Sequence, residues 1–249
     1  MKRKLMFGDC LERMKEIPDN SIDMVLTDPP YGTTACKWDC IVPFDPMWDE
    51  LKRIVKPNGP ILLFGQNPFT ANLIMSNPKM YRYDWLWNKR KGANVFMANK
   101  MPLKVIENIS VFYKKLPNYY PQKRKNPKGV ESRNNYKVKM GKTNETKNTF
   151  EASGKKELKY AESYEPDKLL PNTLLEFSKP SRPVHPTQKP VELLEYLIKT
   201  YTLECETVLD FTMGSGSTGV AAKNLKRNFV GIEKDREYFR IAKQRIKDA

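Results

Sequence analysis

Apolar and polar positions along this chain alternate between two patterns, one with the period of a helix and one typical of a strand. Apolar residues at helical spacing predict three helices in the first part of the chain, over DCLERMKEI, DPMWDELKRIV and NPFTANLIMS. Compact or alternating apolar runs predict strands between and after them, over SIDMVL, GPILLFG, YDWLWNK and VIENISVFYK. The alternation of strands and helices indicates an α/β fold, in which helices cover a doubly wound, mostly parallel sheet.

The same alternation returns near the carboxyl terminus. A helix is predicted over VELLEYLIKTY, where Pro190 suits the first turn and one face is apolar, with Val191, Leu194, Leu197, Ile198 and Tyr201. The pattern then predicts a strand, a glycine-rich turn, a helix, a strand and a closing helix, over TVLDF, TMGSGSTG, VAAKNLKR, NFVGIE and REYFRIAKQRIK.

Between these two parts the composition changes. From Lys114 to Tyr160 the chain has fourteen Lys or Arg against four Glu, and few branched aliphatic residues. Such a segment cannot build much core by itself, so it reads as an insertion or as a solvated loop. We therefore predict three parts: a first half of the main domain (1–114), a basic insertion (115–180) and a second half (181–249).

Length and charge limit the classes of function. The chain has 249 residues, enough for one main domain with an insertion, and 44 basic against 29 acidic residues give a formal charge of +15. A field of that size favours a polyanion as partner, nucleic acid first. We find no signal peptide and no long apolar run, so we expect a cytoplasmic protein without a membrane segment, and the scattered cysteines predict no metal site.

The glycine-rich turn in VLDFTMGSGSTGV follows a strand and opens a helix. Gly214, Gly216 and Gly219 have no Cβ, which would let the backbone approach a ligand at the helix N-terminus. Glu233 ends the next strand, at the spacing of a carboxylate that binds a ribose diol. A Walker phosphate loop is excluded because Val220 follows Gly219, whereas a dinucleotide loop stays open as an alternative.

The stretch TDPPYG directly follows the predicted strand SIDMVL. Its prolines could simply end the strand. In a chemical interpretation, Asp28 and the carbonyl of Pro29 accept hydrogen bonds beside the ring of Tyr31, at the carboxyl end of a parallel strand where such sheets bind ligands. Two acceptors beside an aromatic ring suit the exocyclic amine of a nucleobase, whose lone pair they would free for attack.

Three stretches together resemble one enzyme family. TDPPYG resembles the catalytic motif of amino-group DNA methyltransferases, VLDFTMGSGSTGVAA their S-adenosylmethionine loop, and HPTQKPVELLEYLI the segment before that loop. Their order, with the catalytic motif first and the cofactor loop last, is that of the β group, whose variable middle segment recognises the target. The resemblance covers about residues 5–113 and 181–247 and leaves the middle segment unmatched.

The resemblance implies roles for individual residues. The implied catalytic residues are Asp28, Pro29, Pro30 and Tyr31. The implied cofactor-binding residues are Asp9, Cys10, Asp28, Thr187, Lys189, Asp210, Phe211, Gly214, Ser215, Gly216 and Glu233, with Thr187 and Lys189 on the cofactor carboxylate. One position departs from the family: the loop usually reads Asp-Pro-Phe, and here Phe211 and Thr212 follow Asp210, so either Phe211 packs differently or the pocket is looser.

The implied reaction is methyl transfer from S-adenosylmethionine to the N6 amine of an adenine extruded from double-stranded DNA. Adenine is preferred because Asp at the first motif position leans to adenine in that family. The alternatives are an N4-cytosine enzyme and a non-catalytic basic nucleic-acid binder that kept the fold. The family leaves open a homodimer and a cognate restriction endonuclease as partners.

Overall fold

The computed structural model of the chain describes residues 2–32, 39–93, 95–126, 168–181, 184 and 187–249. The chain forms two compact units, one of residues 1–120 with 172–249 and one of residues 121–171. In the smaller unit, two short antiparallel strands pair Arg124 with Leu169 and Lys125 with Lys168. Most of the predicted insertion, residues 127–167, lies outside the described residues, so its role in target recognition stays a prediction.

The strands, in chain order, are β1 (Arg3–Phe7), β2 (Met24–Thr27), β3 (Ile61–Gly65), β4 (Tyr81–Ala93), β5 (Lys104–Phe112), β6 (Arg124–Lys125), β7 (Lys168–Leu169), β8 (Leu174–Glu176), β9 (Thr207–Asp210) and β10 (Asn228–Glu233). The α-helices of the described residues are α1 (Cys10–Met14), α2 (Phe44–Ile54), α3 (Phe69–Ser76), α4 (Val191–Tyr201), α5 (Ser217–Asn224) and α6 (Arg236–Asp248).

Eight of the strands form one sheet, in the order β1-β10-β9-β2-β3-β5-β4-β8. The strands from β1 to β3 in that order are parallel, β5 is antiparallel to both of its neighbours, and β8 pairs parallel with β4. The predicted α/β fold with a mostly parallel sheet is confirmed. The antiparallel direction of β5 was not predicted, because the alternation of side chains along a strand is the same in parallel and in antiparallel pairing.

Helices cover both faces of the sheet, as alternate residues of β2 show. Met24 and Leu26 point into one buried cluster, which contains residues of α4, α5 and α6. Val25 points into the other cluster, which contains residues of α1, α2 and α3. A strand that is buried on both faces has to be apolar throughout, which explains the continuous apolar run in SIDMVL.

The centre of the sheet joins the two parts of the sequence that were predicted to act together. β2 pairs with β9 in parallel, with Met24 opposite Val208 and Val25 opposite Leu209. TDPPYG and the glycine loop therefore leave the sheet side by side at the same edge, the carboxyl ends of the parallel strands. Ligands bind at that edge in open α/β sheets.

Several elements differ from the prediction in extent. β1 was not predicted, because its first residues are basic and exposed, and it lies in the sheet beside β10. β4 and β5 form a longer hairpin than expected, and α5 begins at Ser217, three residues before the predicted start. Among the described residues, no helix combines the length and apolar content that crossing a bilayer requires.

Candidate active site

A cavity of about 350 Å³ opens at the carboxyl edge of the parallel strands. Its walls bring together six separate stretches of the sequence: residues 8–11, the catalytic motif, residues 39–43, the residues just before α4, the glycine loop, and the end of β10. The predicted residues that line it are Asp9, Cys10, Asp28, Pro29, Pro30, Tyr31, Thr187, Lys189, Asp210, Phe211, Gly214, Ser215 and Glu233.

Asp28 follows the last residue of β2, and both of its carboxylate oxygens accept hydrogen bonds. Lys189 Nζ lies 2.6 Å from Oδ2, and the hydroxyl of Tyr31 donates to Oδ1 at 2.5 Å. The ring of Tyr31 packs against Phe69, with centroids 5.0 Å apart. Each carboxylate oxygen can accept a second hydrogen bond, so Asp28 keeps acceptor capacity toward the cavity.

The structure adds Glu107 of β5 to this group. Its Oε1 lies 2.8 Å from Lys189 Nζ and 3.3 Å from the hydroxyl of Tyr31, and its Oε2 lies 3.5 Å from Lys89 Nζ. Neither Glu107 nor Lys89 was predicted as a site residue. The sequence contained one indication of Glu107: an acidic residue inside the apolar strand pattern VIENISVF. A carboxylate that is buried in a strand needs a charged partner.

Lys189 is therefore surrounded by protein carboxylates. Burial alone would lower its pKa, but Asp28 and Glu107 outweigh that effect and raise it to about 12. Burial raises the pKa of Asp28 above its ordinary value; Lys189 opposes this shift, and the charge of Glu107 adds to it. The predicted role of Lys189 on a cofactor carboxylate stays a prediction, because its ammonium is held here by two protein carboxylates.

Burial, followed by the charges of Asp28 and Glu107, holds the pKa of Tyr31 well above its ordinary value. Its hydroxyl therefore stays protonated and donates to Asp28. Burial also raises the pKa of the Cys10 thiol to about 12, so this cysteine is not a thiolate nucleophile.

Hydrogen bonds join the catalytic motif to the glycine loop across the β2–β9 junction. The hydroxyl of Thr27 donates to Asp210 Oδ1, and the backbone N–H of Thr212 donates to the same oxygen at 3.2 Å. The hydroxyl of Thr212 donates to the carbonyl of Asp28 at 3.1 Å. At the position where the sequence departs from the family, Phe211 packs in the core. The hydroxyl of Thr212 that follows it contacts the catalytic motif.

The far end of the cavity has the groups that a nucleoside needs. Both oxygens of Glu233 are fixed by backbone N–H groups, from Gly214 at 2.8 Å and Asp235 at 2.7 Å. Gly214 has φ +51°, a conformation that suits a residue without Cβ. Asp9 caps α1 by accepting from the N–H of Leu11 at 2.9 Å. A fixed carboxylate beside a glycine turn, in a cavity of this size, fits a ribose-bearing cofactor.

Gly216 and Gly219 pack against α6, and their predicted approach to a ligand stays a prediction. A Cβ on Gly216 would lie 2.8 Å from Cβ of Ala242, and one on Gly219 would collide with Ile246. Neither glycine is among the residues that line the cavity. They let α5 pack closely on α6, whereas Gly214 lines the cavity. A sequence pattern cannot separate these two uses of a missing side chain.

The whole chain is similar to known DNA methyltransferases. The sequence model of the N6/N4 DNA methylase family matches residues 22–244. Type II methyltransferase M.HinfI of Haemophilus influenzae is 28% identical over 98% of this chain and 68% of its own length. Type II methyltransferase M2.LlaDCHI of Lactococcus lactis subsp. cremoris is 28% identical over 97% of this chain and 88% of its own length.

Solved structures agree on the fold. The crystal structure of the M1.HpyAVI–SAM complex has a TM-score of 0.63 at 25% identity and covers 98% of both chains. The cytosine-N4-specific PvuII DNA methyltransferase has a TM-score of 0.67 at 16% identity, over 98% of this chain and 86% of its own. At that identity the second likeness shows the fold alone.

The buried carboxylate of Asp210 generates a stability prediction. Burial raises its pKa to about 6, so the folded state binds this proton more tightly than the unfolded chain does, and the stability that this contributes is lost as the pH rises through that value. A shift of about two units corresponds to about 3 kcal/mol of unfolding free energy at about pH 8. We expect Asp210→Asn to raise that free energy by up to this amount at about pH 8 and to have little effect at about pH 4.

Urea unfolding of both proteins across this pH range measures the difference. Asp49, exposed on α2, supplies the matched control in Asp49→Asn. A gain for Asp210→Asn that is the same at all pH values would contradict the assignment of the effect to ionisation of Asp210.

Proposed function

Because the chain belongs to the N6/N4 DNA methylase family, we propose that it transfers the methyl group of S-adenosylmethionine to the N6 amine of an adenine extruded from double-stranded DNA. The observation that carries this proposal is the position of Asp28 and Tyr31 at one end of a cavity whose other end is formed by Gly214 and Glu233. An amine seat and a nucleoside site thus share one cavity.

The residues around Asp28 prepare an acceptor for the amine. Lys189 and Tyr31 hold the carboxylate in one orientation, and a second lone pair of one of its oxygens accepts from one amine hydrogen. With the carbonyl of Pro29 as a second acceptor, the amine nitrogen becomes pyramidal and its lone pair is directed at the methyl group. The raised pKa of Asp28 also makes it a better acceptor for the proton that the amine releases after transfer.

The cofactor end is held by different residues. Glu233 would bind the ribose hydroxyls, Asp9 would lie near the adenine, and Gly214 would leave room for the methionine part. When bound, S-adenosylmethionine supplies an electrophilic methyl group on its sulfonium. The protein contributes the alignment of donor and amine, so no covalent intermediate on the chain is needed.

The choice of adenine over cytosine rests on Asp28, the first residue of the catalytic motif. The fold itself is shared with the cytosine-N4-specific PvuII enzyme, so it supports both bases equally. Recognition of the target by residues 115–180, a homodimer and a cognate restriction endonuclease belong to the same proposal.

Nucleoside analysis tests this function. The purified protein, incubated with S-adenosylmethionine and unmethylated double-stranded DNA, should form N6-methyladenine, measured by mass spectrometry. Asp28→Asn keeps the size of the side chain but removes the charge that Lys189 holds, so we expect methyl transfer to fall by about a hundredfold or more while DNA binding is kept.

Asp49→Asn, on the exposed side of α2, is the matched control and should methylate normally. N4-methylcytosine in place of N6-methyladenine would show that the target base is cytosine and would leave the proposed mechanism unchanged. If the unmutated protein binds DNA and cofactor but forms no methylated nucleoside, the result would favour the alternative of a non-catalytic nucleic-acid-binding protein.

The charge cluster around Lys189 predicts the pH dependence of the reaction. Asp28 must be ionised to accept, so the rate falls as the pH drops through its raised pKa. Glu107→Gln removes a negative neighbour, lowers the pKa of Asp28 and moves the acid limb to lower pH. Lys189→Met removes the positive neighbour, raises that pKa and moves the acid limb to higher pH.

Single-turnover rates of methyl transfer against pH measure both shifts. Asp210, whose pKa is about 6, and Glu233, whose pKa burial also raises, lie at the same cavity, and their contributions to the acid limb should not move in opposite directions in the two variants. Shifts of the same sign, or an acid limb unchanged in both, would show that Asp28 does not set it.

A further inference from the structure

The hairpin between β4 and β5 has an apolar tip that is open to solvent. Phe96, on a short 3₁₀ helix, is fully exposed, with a relative accessibility of 103%. The exposed large apolar residues of this hairpin are Val95, Phe96, Met97, Met101, Leu103 and Ile106. Scattered apolar residues are ordinary on a surface, but six on one hairpin are typical of a contact site.

The pairing register places this tip beyond the edge of the sheet where the cavity opens. The last residue of β3, Gly65, pairs with Asn108 of β5. Because β5 is antiparallel to β3, the residues before Asn108 extend past the carboxyl end of β3. From Glu107, which contacts Tyr31 and Lys189, to Lys104 is about 10 Å of extended chain, and the tip lies beyond it.

The charge of the hairpin has one sign. Residues 88–106 contain five Lys or Arg and no acidic residue. Lys89 is buried beside Glu107, and Arg90 lies 3.7 Å from the carboxylate of Glu176 on β8. The other three are exposed, without an ion pair among the described residues: Lys91, Lys100 and Lys104. Exposed cations around an apolar tip suit a polyanion that also presents flat apolar rings, which is the chemistry of DNA.

The tip is held in place by the hairpin itself. Leu103 covers Gly92 so closely that a Cβ there would lie 2.6 Å from Cβ of Leu103. Backbone hydrogen bonds from Ala98 to Val95, at 3.0 Å, and from Lys100 to Met97, at 2.8 Å, fix the turn that presents Phe96. The exposed ring therefore stands on an ordered turn, so little ordering is needed when it binds.

We propose that this hairpin contacts the DNA duplex beside the extruded base, with Phe96 stacking against neighbouring bases and Lys91, Lys100 and Lys104 on phosphates. The inference rests on the proposed function and adds a second DNA-contacting surface to the basic insertion. An aromatic ring that occupies the gap left by the target base offsets part of the free energy of unstacking. A protein partner, or a second copy of the chain, is the competing occupant.

The test compares Phe96→Ala with Met75→Ala. Met75 is 73% exposed near the C-terminal end of α3, which points away from the cavity edge, so it controls for loss of an exposed apolar side chain. Fluorescence anisotropy with a labelled mixed-sequence duplex measures affinity. We expect about tenfold weaker binding for Phe96→Ala and no change for Met75→Ala. Lys100→Ala should reduce the slope of log affinity against log salt by about one.

A role in base extrusion has its own readout. Once the methylated position has been mapped with the unmutated protein, the rate of Phe96→Ala is measured on a matched duplex and on one with a mismatch at the target. A mismatched base needs less energy to unpair, so the mismatch should restore much of the rate of Phe96→Ala and change that of Met75→Ala little.

Unchanged affinity and unchanged rates for Phe96→Ala would overturn the proposal. So would a change of oligomeric state, measured by light scattering, with DNA affinity intact, because the tip would then join two copies of the chain. If the unmutated protein binds the duplex but transfers no methyl group, the proposed function fails while the anisotropy comparison still decides the role of the hairpin.

Discussion

The ammonium of Lys189 lies between the carboxylates of Asp28 and Glu107, and the geometry of the candidate site depends on this contact. The three residues come from the end of β2, from β5 and from the segment just before α4. All three are largely buried, where an unpaired charge would be costly and a paired one is held in a single position. The ion pairs thus fix the catalytic carboxylate and join the two parts of the sequence that form the site.

The β2–β9 junction provides the second connection between these parts. Parallel pairing places the catalytic motif next to the glycine loop, and Thr27 and Thr212 link Asp210 to the backbone of Asp28. The fold accepts an energetic cost here, since the buried carboxylate of Asp210 has a pKa of about 6. Groups that are kept charged against their environment are a common property of functional sites.

Local patterns in the sequence predicted much of this fold. The bounds of α4 and β10 agree with their apolar patterns, because amphipathic and fully buried runs have clear periods. β1 was missed, since it begins with exposed basic residues and is in the sheet only through its pairing with β10. Glu107 was missed for a related reason: its partner Lys189 is distant in sequence, and no local pattern records that contact. The cofactor role implied for Gly216 stays a prediction, because close packing on Ala242 also selects glycine at this position.

A thermodynamic cycle on the free energy of unfolding measures the contact around Lys189 most directly. Lys189→Met alone leaves the buried carboxylate of Asp28 without a counter-charge and Glu107 with Lys89 alone, and it should destabilise the protein by about 3–5 kcal/mol at neutral pH. The double variant with Asp28→Asn and Lys189→Met removes one charge of each sign, keeps the Glu107–Lys89 pair and should recover most of that loss. If the double variant is instead as unstable as the sum of its parts, Asp28 and Lys189 do not act as one unit, and Asp28 is positioned by other contacts.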